Sequence, residues 1–425
     1  MCRRRWKIKK PMNTLPLPFR LASIFSIGIG LTLLTTVAGT NFMVLFLLLT
    51  APWAWASFKL EGAQRTQVLQ FLSLIVVLCV WSMVPNLISG YGVTDVLKAL
   101  LHDMRTFVFV VLLWPVFANP VVSRTALWAL LGTVVLLATA NLLLTLGGYV
   151  PPGQYFWPTA PHLYGQILVG FFFLLAQMLL VRPSLSWRVI LPMGLLLLSL
   201  FFASERRTGY LQLAGGFVVW ATLNRQRLLV GNYKWWFVIG AVVALFAALA
   251  SPIVQRRMAQ VVFEVQQFLS QTPEQRTAKE TAVGIRLQYY VSVWQLIKQS
   301  NIWTGVGSID FIEMFWQVNQ SMGGTEKTLF SNPHNEYLYT LATKGVIGLL
   351  LYLAVFGQAC RMAWQNTDEV QRIGLLVFIF LFMLSITTNS MMVDMEEGHF
   401  TMLILLIFLA PLQLTLIRAK SASTL

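Results

Sequence analysis

Charged side chains are scarce in this 425-residue sequence. Only 11% of the residues are Asp, Glu, Lys or Arg, whereas 57% are hydrophobic. A soluble protein of this length needs more charge to cover its surface, so the composition argues against an ordinary soluble fold. Apolar runs close to the ~20 residues that cross a bilayer recur along the chain, and they predict an all-α integral membrane protein with about 12 transmembrane helices.

Cysteine and histidine are also few. Cys2 and Cys360 fall on the predicted cytoplasmic side and Cys79 within a predicted span, which argues against a disulfide framework. No cluster of Cys and the four His has the spacing of a zinc site. The polar loops contain no obvious Asp-x-Asp pair, so we expect no metal and no cofactor. No small-residue cleavage site follows the first apolar run, so the basic start of the chain is interpreted as a cytoplasmic flank and not as a signal peptide.

The apolar runs divide the chain into three parts. Residues 1–251 are predicted to hold transmembrane helices 1–9, 252–337 to form a periplasmic loop with amphipathic helices, and 338–425 to hold helices 10–12 with a cytoplasmic tail. Helical spacing within the loop predicts helices near 252–271, 285–299 and 308–319. The predicted spans lie near 21–37, 41–58, 67–84, 105–118, 125–147, 164–181, 189–203, 208–223, 235–251, 338–357, 373–392 and 399–417.

The net charge of +15 does not indicate a nucleic-acid partner, because it is unevenly distributed. With the N-terminus inside, the cytoplasmic segments hold 19 of the 31 Lys and Arg but 3 of the 16 acids. This asymmetry is the positive-inside rule. It predicts a multi-pass inner-membrane protein with both termini cytoplasmic, and the basic N-terminus also suits anionic membrane lipids.

Two arginine positions stand out on the predicted outer face. Arg206 and Arg207 lie in a short hairpin, residues 204–209, where they are either snorkelling anchors or phosphate ligands. Arg286 begins an amphipathic helix, where it belongs either to a solvated face or to a phosphate site. Arginine offers a planar fork of donors that suits phosphate oxygens. Asp394, Glu396 and Glu397 crowd another outer turn and are interpreted as structural or acceptor-facing groups.

The third position is His334, in the stretch Ser331-Asn332-Pro333-His334-Asn335. Asn332 is predicted to be the N-cap and Pro333 the first residue of the next transmembrane helix, which places His334 in the first turn. The positive end of a helix disfavours a charged imidazole. A neutral imidazole can accept a proton, so His334 suits a general base. The alternative is an interfacial histidine bonded to a neighbouring loop.

These residues resemble the O-antigen ligase and polymerase superfamily. The stretch Pro333-His334-Asn335-Glu336-Tyr337-Leu338, with residues 341–350 after it, is similar to the family signature. Residues 204–207 resemble its Ser-x-Ser-Arg region, and Arg286 with the Gly305-Val306-Gly307 turn resembles its long-loop pattern. Lys344 departs from the pattern, where a less basic residue is expected. The resemblance is strong over about residues 190–360.

The resemblance implies a membrane glycosyltransferase of the type C class with a periplasmic active site. Such a ligase moves O-antigen from undecaprenyl pyrophosphate to a hydroxyl of lipid A–core oligosaccharide. His334 is then the catalytic base of an inverting, metal-independent transfer, and Arg206, Arg207 and Arg286 hold the pyrophosphate. Acceptor contact or a supporting role falls to Asn335, Glu336, Tyr337 and Lys344.

Other functions remain open at this stage. An O-antigen polymerase shares the motifs, although a single long outer segment favours a ligase. A protein O-oligosaccharyltransferase is a further relative, usually longer. A lipid-linked glycan transporter predicts ionisable groups near the bilayer midplane, for which Lys344 is the clear candidate. A non-catalytic scaffold gives no reason for His and Arg groups to gather outside.

Overall fold

The computed structural model describes ten stretches of the chain. The predicted span at 235–251, the basic N-terminus, Arg206 and Asp394 lie outside them. The described residues are 15–32, 37–59, 62–151, 154, 161–204, 207–229, 252–270, 281–322, 332–392 and 395–411.

All the regular structure in these stretches is helical. The helices are α1 Leu17–Thr32, α2 Val37–Ser57, α3 Gly62–Ile88, α4 Val93–Phe117, α5 Pro120–Leu146, α6 Pro161–Val181, α7 Ser186–Leu198, α8 Arg207–Leu223, α9 Arg225–Leu229, α10 Pro252–Ser270, α11 Ala282–Gln299, α12 Ser308–Ser321, α13 Glu336–Trp364, α14 Glu369–Ser385 and α15 Met395–Leu409. A π-helical stretch, Ser199–Ser204, extends α7. The prediction of an all-α fold is therefore confirmed for the described residues.

Six helices of this part of the chain are long and apolar enough to cross a membrane. Two further apolar helices, Leu17–Thr32 and Glu397–Leu409, are shorter. The six candidate spans are Ala38–Ser57, Arg65–Ile88, Pro120–Leu146, Tyr164–Val181, Trp187–Ser204 and Glu336–Trp364. The structure thus supports a polytopic membrane protein, and the count of about 12 spans remains a prediction.

Polar side chains cap several helices at their first turn, where backbone N–H groups have no partner within the helix. The Asn119 side chain accepts from Val121 N at 3.0 Å, ahead of α5. The Asp368 carboxylate accepts from two backbone N–H groups at the beginning of α14. The first four N–H groups of a helix have no partner within it, so these caps fix where each helix begins.

The helices pack into one bundle around a large apolar core. α1 packs on α2 and α5, α3 packs on α4 and α13, and α6 packs on α7, α8 and α14. Gly165 of α6 and Gly209 of α8 let two backbones approach closely, because a Cβ at Gly165 would lie 3.2 Å from the Cα of Gly209. Small residues at such crossings are typical of membrane helices, which associate through close packing. Large apolar side chains such as Leu136, which is 67% exposed, cover the outside of the bundle.

The long helix α13 is broken at Gly345, where φ is +67° and ψ is −173°. Residues 301–307 pair with this break. Val306 N donates to Ala342 O at 2.9 Å, Gly307 N to Thr343 O at 3.0 Å, and Val346 N to Ile302 O at 2.8 Å. The loop therefore satisfies backbone groups that the interrupted helix leaves free, as a membrane protein requires.

This pairing docks α11 and α12 on the first half of α13. A second, smaller apolar core joins the three helices, with Tyr289, Val293, Phe311, Phe315 and Tyr339 buried in it. The helices predicted near 252–271, 285–299 and 308–319 are confirmed as α10, α11 and α12 within a few residues. Their position relative to a membrane remains a prediction, as does the division of the chain into three parts.

The predicted helix at 373–392 is too long. α14 ends at Ser385, and residues 386–392 form turns before α15. The residues around this segment are apolar, so hydropathy alone did not indicate that the helix ends at Ser385. This turn faces the beginning of α13 and supplies part of the candidate site.

Candidate active site

His334 lies just before α13 and not in its first turn. The helix begins at Glu336, and its N-cap is Asn335, whose side chain accepts from Leu338 N at 3.0 Å. The prediction of Asn332 as N-cap is therefore wrong, because Asn332 instead accepts from His334 N at 3.0 Å and closes a local turn. An Asn side chain bonds the backbone two residues ahead in this way in many turns.

The turn holds His334 in a strained backbone conformation. Its φ is +52°, and no other non-glycine residue in the described stretches has a positive φ. Such a conformation costs about 1–3 kcal/mol and is concentrated at active sites and ligand clamps. The surrounding contacts must hold it in place.

Helix α11 supplies two of these contacts. The Tyr290 hydroxyl lies within hydrogen-bond distance of His334 O at 3.2 Å and of Thr387 O at 3.1 Å. The ring of Tyr289 lies parallel to the imidazole, with 6.4 Å between the ring centroids. Asn335 Nδ2 also donates to Thr387 O, at 3.0 Å. The segment before α13 is thus tied to α11 and to the turn after α14.

The imidazole itself is bound to that turn. His334 Nδ1 lies 3.2 Å from Asn389 Oδ1. Asn389 Nδ2 in turn donates to both carboxylate oxygens of Glu397, at 3.1 and 2.8 Å. Asn389 is 4% exposed and Glu397 is completely buried. One nitrogen of the ring is therefore occupied by a buried polar chain.

The electrostatic surroundings keep this imidazole neutral. Burial lowers the pKa of His334 below its usual value of 6.5, the bond to Asn389 raises it, and the positive charge of Arg286 lowers it. Desolvation and a nearby cation both disfavour the imidazolium form. His334 can therefore accept a proton at neutral pH.

Arg286 shares this region with His334. It precedes Tyr289 and Tyr290 by three and four residues on α11, so the three side chains lie on one face of the helix. Its charge acts on both His334 and Tyr290. The structure thus brings together two of the residues singled out in the sequence.

Arg207 is the first residue of α8, and the structure describes its backbone alone. α8 runs antiparallel to α14, because Gln212 donates to Ser385 and Gly216 lies opposite Leu381. Continued toward the beginning of α8, this register places Arg207 level with the turn that holds Thr387 and Asn389. The first turn of α8 therefore lies at the same end of the bundle as His334.

The neighbouring residues of the signature have structural contacts. Glu336 is buried and its carboxylate accepts from Met392 N at 3.2 Å. The Tyr337 hydroxyl donates to Met383 O at 3.0 Å. With Asn335, they fasten the beginning of α13 to the end of α14, which favours a supporting role over contact with an acceptor.

Lys344 lies deep in the bundle, far along α13 from His334. Its Nζ is 3.8 Å from Asp103 Oδ2 and 3.1 Å from Thr343 Oγ1, and it lies 5.0 Å from the centroid of the Tyr339 ring. Asp103 also accepts from the Tyr339 hydroxyl at 3.2 Å. This buried pair explains why a basic residue is tolerated here, and it joins α4 to α13.

Three residues of the site, Tyr289, Tyr290 and Asn389, were not predicted from the sequence. Tyr289 and Tyr290 stand beside Arg286 in the sequence, and their spacing from it was a usable signal. Asn389 lies in the run Thr387-Thr388-Asn389-Ser390, and such a polar cluster marks a turn. Glu397 was noted as part of an acidic turn but not connected with His334.

The fold and site together define a helical membrane protein with a neutral histidine and an arginine at one end of its bundle. Residues 192–353 match the family model described as O-antigen ligase. The match confirms the resemblance to the O-antigen ligase and polymerase superfamily, and it supports a glycosyltransferase-like activity of the ligase or polymerase type. No curated protein matches the chain. The matched region includes α8, α11, α12 and His334, whereas Asn389 and Glu397 lie beyond it.

Proposed function

We propose that this protein is an O-antigen ligase. It transfers the polysaccharide from undecaprenyl pyrophosphate to a hydroxyl of lipid A–core oligosaccharide, at the periplasmic face of the inner membrane. The proposal is supported most directly by one observation: an imidazole with a lowered pKa shares its surroundings with the Arg286 guanidinium. A neutral base with a guanidinium acting on it is the combination that this transfer requires.

The donor end of the reaction needs a cation more than an acid. The leaving group is a pyrophosphate, on which negative charge grows as the bond to the anomeric carbon breaks. Arg286, together with Arg207 or Arg206, binds these phosphate oxygens and stabilises that charge. Removing one such donor from an enzyme typically lowers the rate by about 10²–10³-fold.

The acceptor end needs a base. The hydroxyl proton of the acceptor moves to His334 as its oxygen attacks the anomeric carbon. The attack comes from the face opposite the pyrophosphate, so the anomeric configuration inverts. One O–H bond and one C–O bond break, while one N–H bond and the new glycosidic C–O bond form. General-base help of this kind contributes about 10²–10⁴-fold.

The environment of Lys344 bears on the transporter alternative. A transporter needs an ionisable group that faces a water-filled path, and Lys344 is only 1% exposed. It faces Asp103 and Tyr339. These contacts favour a structural role for Lys344.

Complementation separates the two glycan-polymer functions. A ligase restores long-chain lipopolysaccharide in a ligase-deficient strain, whereas a polymerase restores it only in a polymerase-deficient strain that otherwise attaches single repeats. His334→Gln should abolish the restored signal while the protein stays in the membrane. His102→Gln is the matched control for a histidine outside the site: its side chain is 64% exposed on α4, and its ring contacts Asp103, the partner of Lys344. Wild-type transfer by His334→Gln would refute the assignment of the base.

A further inference from the structure

A crevice lies at the end of the bundle opposite His334. α5 begins beside it, α6 and α15 end beside it, and the residues at the beginning of α14 form one wall. From this wall α14 runs for 17 residues toward the turn that holds Asn389. The crevice is therefore about 25 Å along the helix axis from the candidate active site, and it is a separate feature of the fold.

Two arginines line this crevice. Arg124 lies one turn into α5 and Arg182 directly follows α6, and both side chains are half-buried. Asp368 is the one acid among the described lining residues, and one of its oxygens caps α14 by accepting from Val370 N and Gln371 N, at 3.0 and 3.1 Å. The lining thus has a net positive charge. Each guanidinium has five N–H donors, so it can bind an anion in addition to the contacts that it makes within the protein.

Apolar side chains continue the crevice toward the middle of the bundle. Trp128 follows Arg124 by four residues on α5, and Met178 and Leu174 precede Arg182 by four and eight residues on α6. Residues spaced in this way share one face of a helix, so the apolar groups lie one or two turns deeper than the arginines. Positive charge at the rim with apolar surface below it matches the order of the phosphate and the acyl chains in a phospholipid.

The size of the crevice suits part of a lipid. Its volume is about 280 Å³, near the lower end of the range for ligand pockets, which begins at ~300 Å³. This space can hold a phosphate headgroup and the first part of the acyl chains. The rest of the chains can follow the apolar outside of α5, where Trp128 is 52% and Leu136 is 67% exposed.

We propose that this crevice binds one anionic phospholipid from the membrane leaflet at this end of the bundle. Arg124 and Arg182 bind its phosphate, and its acyl chains lie against Trp128, Leu174 and Met178. Arginine suits phosphate because its planar fork can form two parallel N–H···O bonds. Basic pockets between transmembrane helices on the cytoplasmic side bind acidic headgroups, and the positive-inside rule predicts that this end is cytoplasmic. The site is independent of the proposed transfer reaction.

Charge favours this occupant over two others. Residues 412–425, which follow α15, include Arg418 and Lys420 and no acid, so their side chains do not complement two arginines. A zwitterionic phospholipid offers the same phosphate, but it brings an ammonium group toward the guanidinium groups. Like charges that come together oppose binding and so give specificity. An anionic headgroup meets the arginines without this repulsion.

Native mass spectrometry of the whole chain in detergent measures the binding. Phosphatidylglycerol is the probe, and phosphatidylethanolamine with the same acyl chains is the comparison. We expect one phosphatidylglycerol molecule per chain, bound about tenfold more tightly than phosphatidylethanolamine or better. A basic residue near an anionic lipid contributes about fivefold to binding, so Arg124→Gln combined with Arg182→Gln should weaken the binding of phosphatidylglycerol by about 25-fold.

The matched control removes the same charge outside the crevice. Arg225 and Arg361 are exposed at the same end of the bundle and are not among the described lining residues. Arg225→Gln combined with Arg361→Gln should leave the affinity for phosphatidylglycerol nearly unchanged. An equal loss in this control would show that the basic surface as a whole attracts the lipid, and it would overturn the proposed site.

Two further measurements separate a lipid from a free phosphate. Inorganic phosphate should not displace phosphatidylglycerol. Dihexanoyl-phosphatidylglycerol should bind at least tenfold more weakly than the long-chain lipid, since each buried methylene contributes about fourfold. Displacement by inorganic phosphate, or equal binding of the short-chain lipid, would show an anion site that does not use the acyl chains and would overturn the proposal.

The apolar wall provides a test that leaves both arginines in place. Trp128→Ala should weaken the binding of both phospholipids and keep the preference for phosphatidylglycerol. If the double arginine variant does not fold, the comparison of the two lipids on the wild-type protein still decides, because equal affinities would overturn the proposal. None of these results depends on the activity of His334→Gln, so failure of this site and failure of the proposed function are distinguishable.

Discussion

The break in α13 makes Gly345 the most sensitive glycine in the described part of the fold. Its φ of +67° with ψ of −173° belongs to a region that essentially only glycine adopts. An added Cβ would lie 2.1 Å from Trp303 O and 2.6 Å from Thr304 N. Both contacts are with backbone atoms, which cannot swing aside as a flexible side chain can. Gly345→Ala must therefore move the loop or straighten the helix.

The magnitude follows from these two effects. The backbone conformation alone costs about 1–3 kcal/mol for a residue with a side chain. Moving the loop weakens up to three backbone hydrogen bonds, each with a net worth of about 0.5–1.5 kcal/mol. We therefore expect Gly345→Ala to lower the free energy of unfolding by about 3–6 kcal/mol, with loss of transfer activity because α11 and α12 lose their register on α13.

Thermal unfolding in detergent, followed by tryptophan fluorescence, measures this effect. Gly357→Ala is the control, since it lies in the same helix with nothing within 4 Å of its added Cβ. That change should be neutral or stabilise the protein by up to about 1 kcal/mol, because alanine is the better helix former. Equal unfolding midpoints for the two variants would refute the account of the break.

Three further expectations concern the site and its support. Because burial and Arg286 lower the pKa of His334 below 6.5, the transfer rate should fall only as the pH drops below that value, and a half-maximal rate above pH 7 would contradict the neutral base. Arg286→Lys should lower the transfer rate in a steady-state assay by about 10²-fold or more, since lysine cannot form the bidentate fork. Arg256→Lys, on the exposed face of α10, is the control and should leave the rate unchanged. Lys344→Met should lower the free energy of unfolding by about 3–5 kcal/mol, because it leaves Asp103 buried without its cation. Thermal unfolding in detergent measures this, and an unchanged midpoint would contradict a stabilising role for the pair.

Much of the fold could be predicted from the sequence because apolar runs and helical periodicity are local signals. The three amphipathic helices of the long segment lie where their spacing indicates. The break at Gly345 could not be predicted in the same way, since an isolated glycine in a helical pattern is usually tolerated. It takes the partner loop, residues 301–307, to show why glycine stands there.

The residues of the site also differ in whether a local signal in the sequence reveals them. His334 and Arg286 carry reactive side chains at recognisable positions, so a single sequence suffices to notice them. Asn389 contacts His334 across 55 residues of sequence, and Glu397 reaches the histidine only through Asn389. The apolar surroundings of Asn389 favoured one continuous helix, and the polar run that ends it was the overlooked signal.

The strain at His334 explains why so many segments meet there. A positive φ at a histidine costs about 1–3 kcal/mol, and the bonds to its backbone N and O, from Asn332 and Tyr290, offset it at about 0.5–1.5 kcal/mol each. The bond to Asn389 then fixes the ring itself. Backbone and imidazole are thus held by α11, by the turn after α14 and, through Asn389, by α15, so His334 cannot relax into an ordinary helical turn without breaking contacts to all three. In the proposed reaction, a base held this firmly does not need the substrate to orient it.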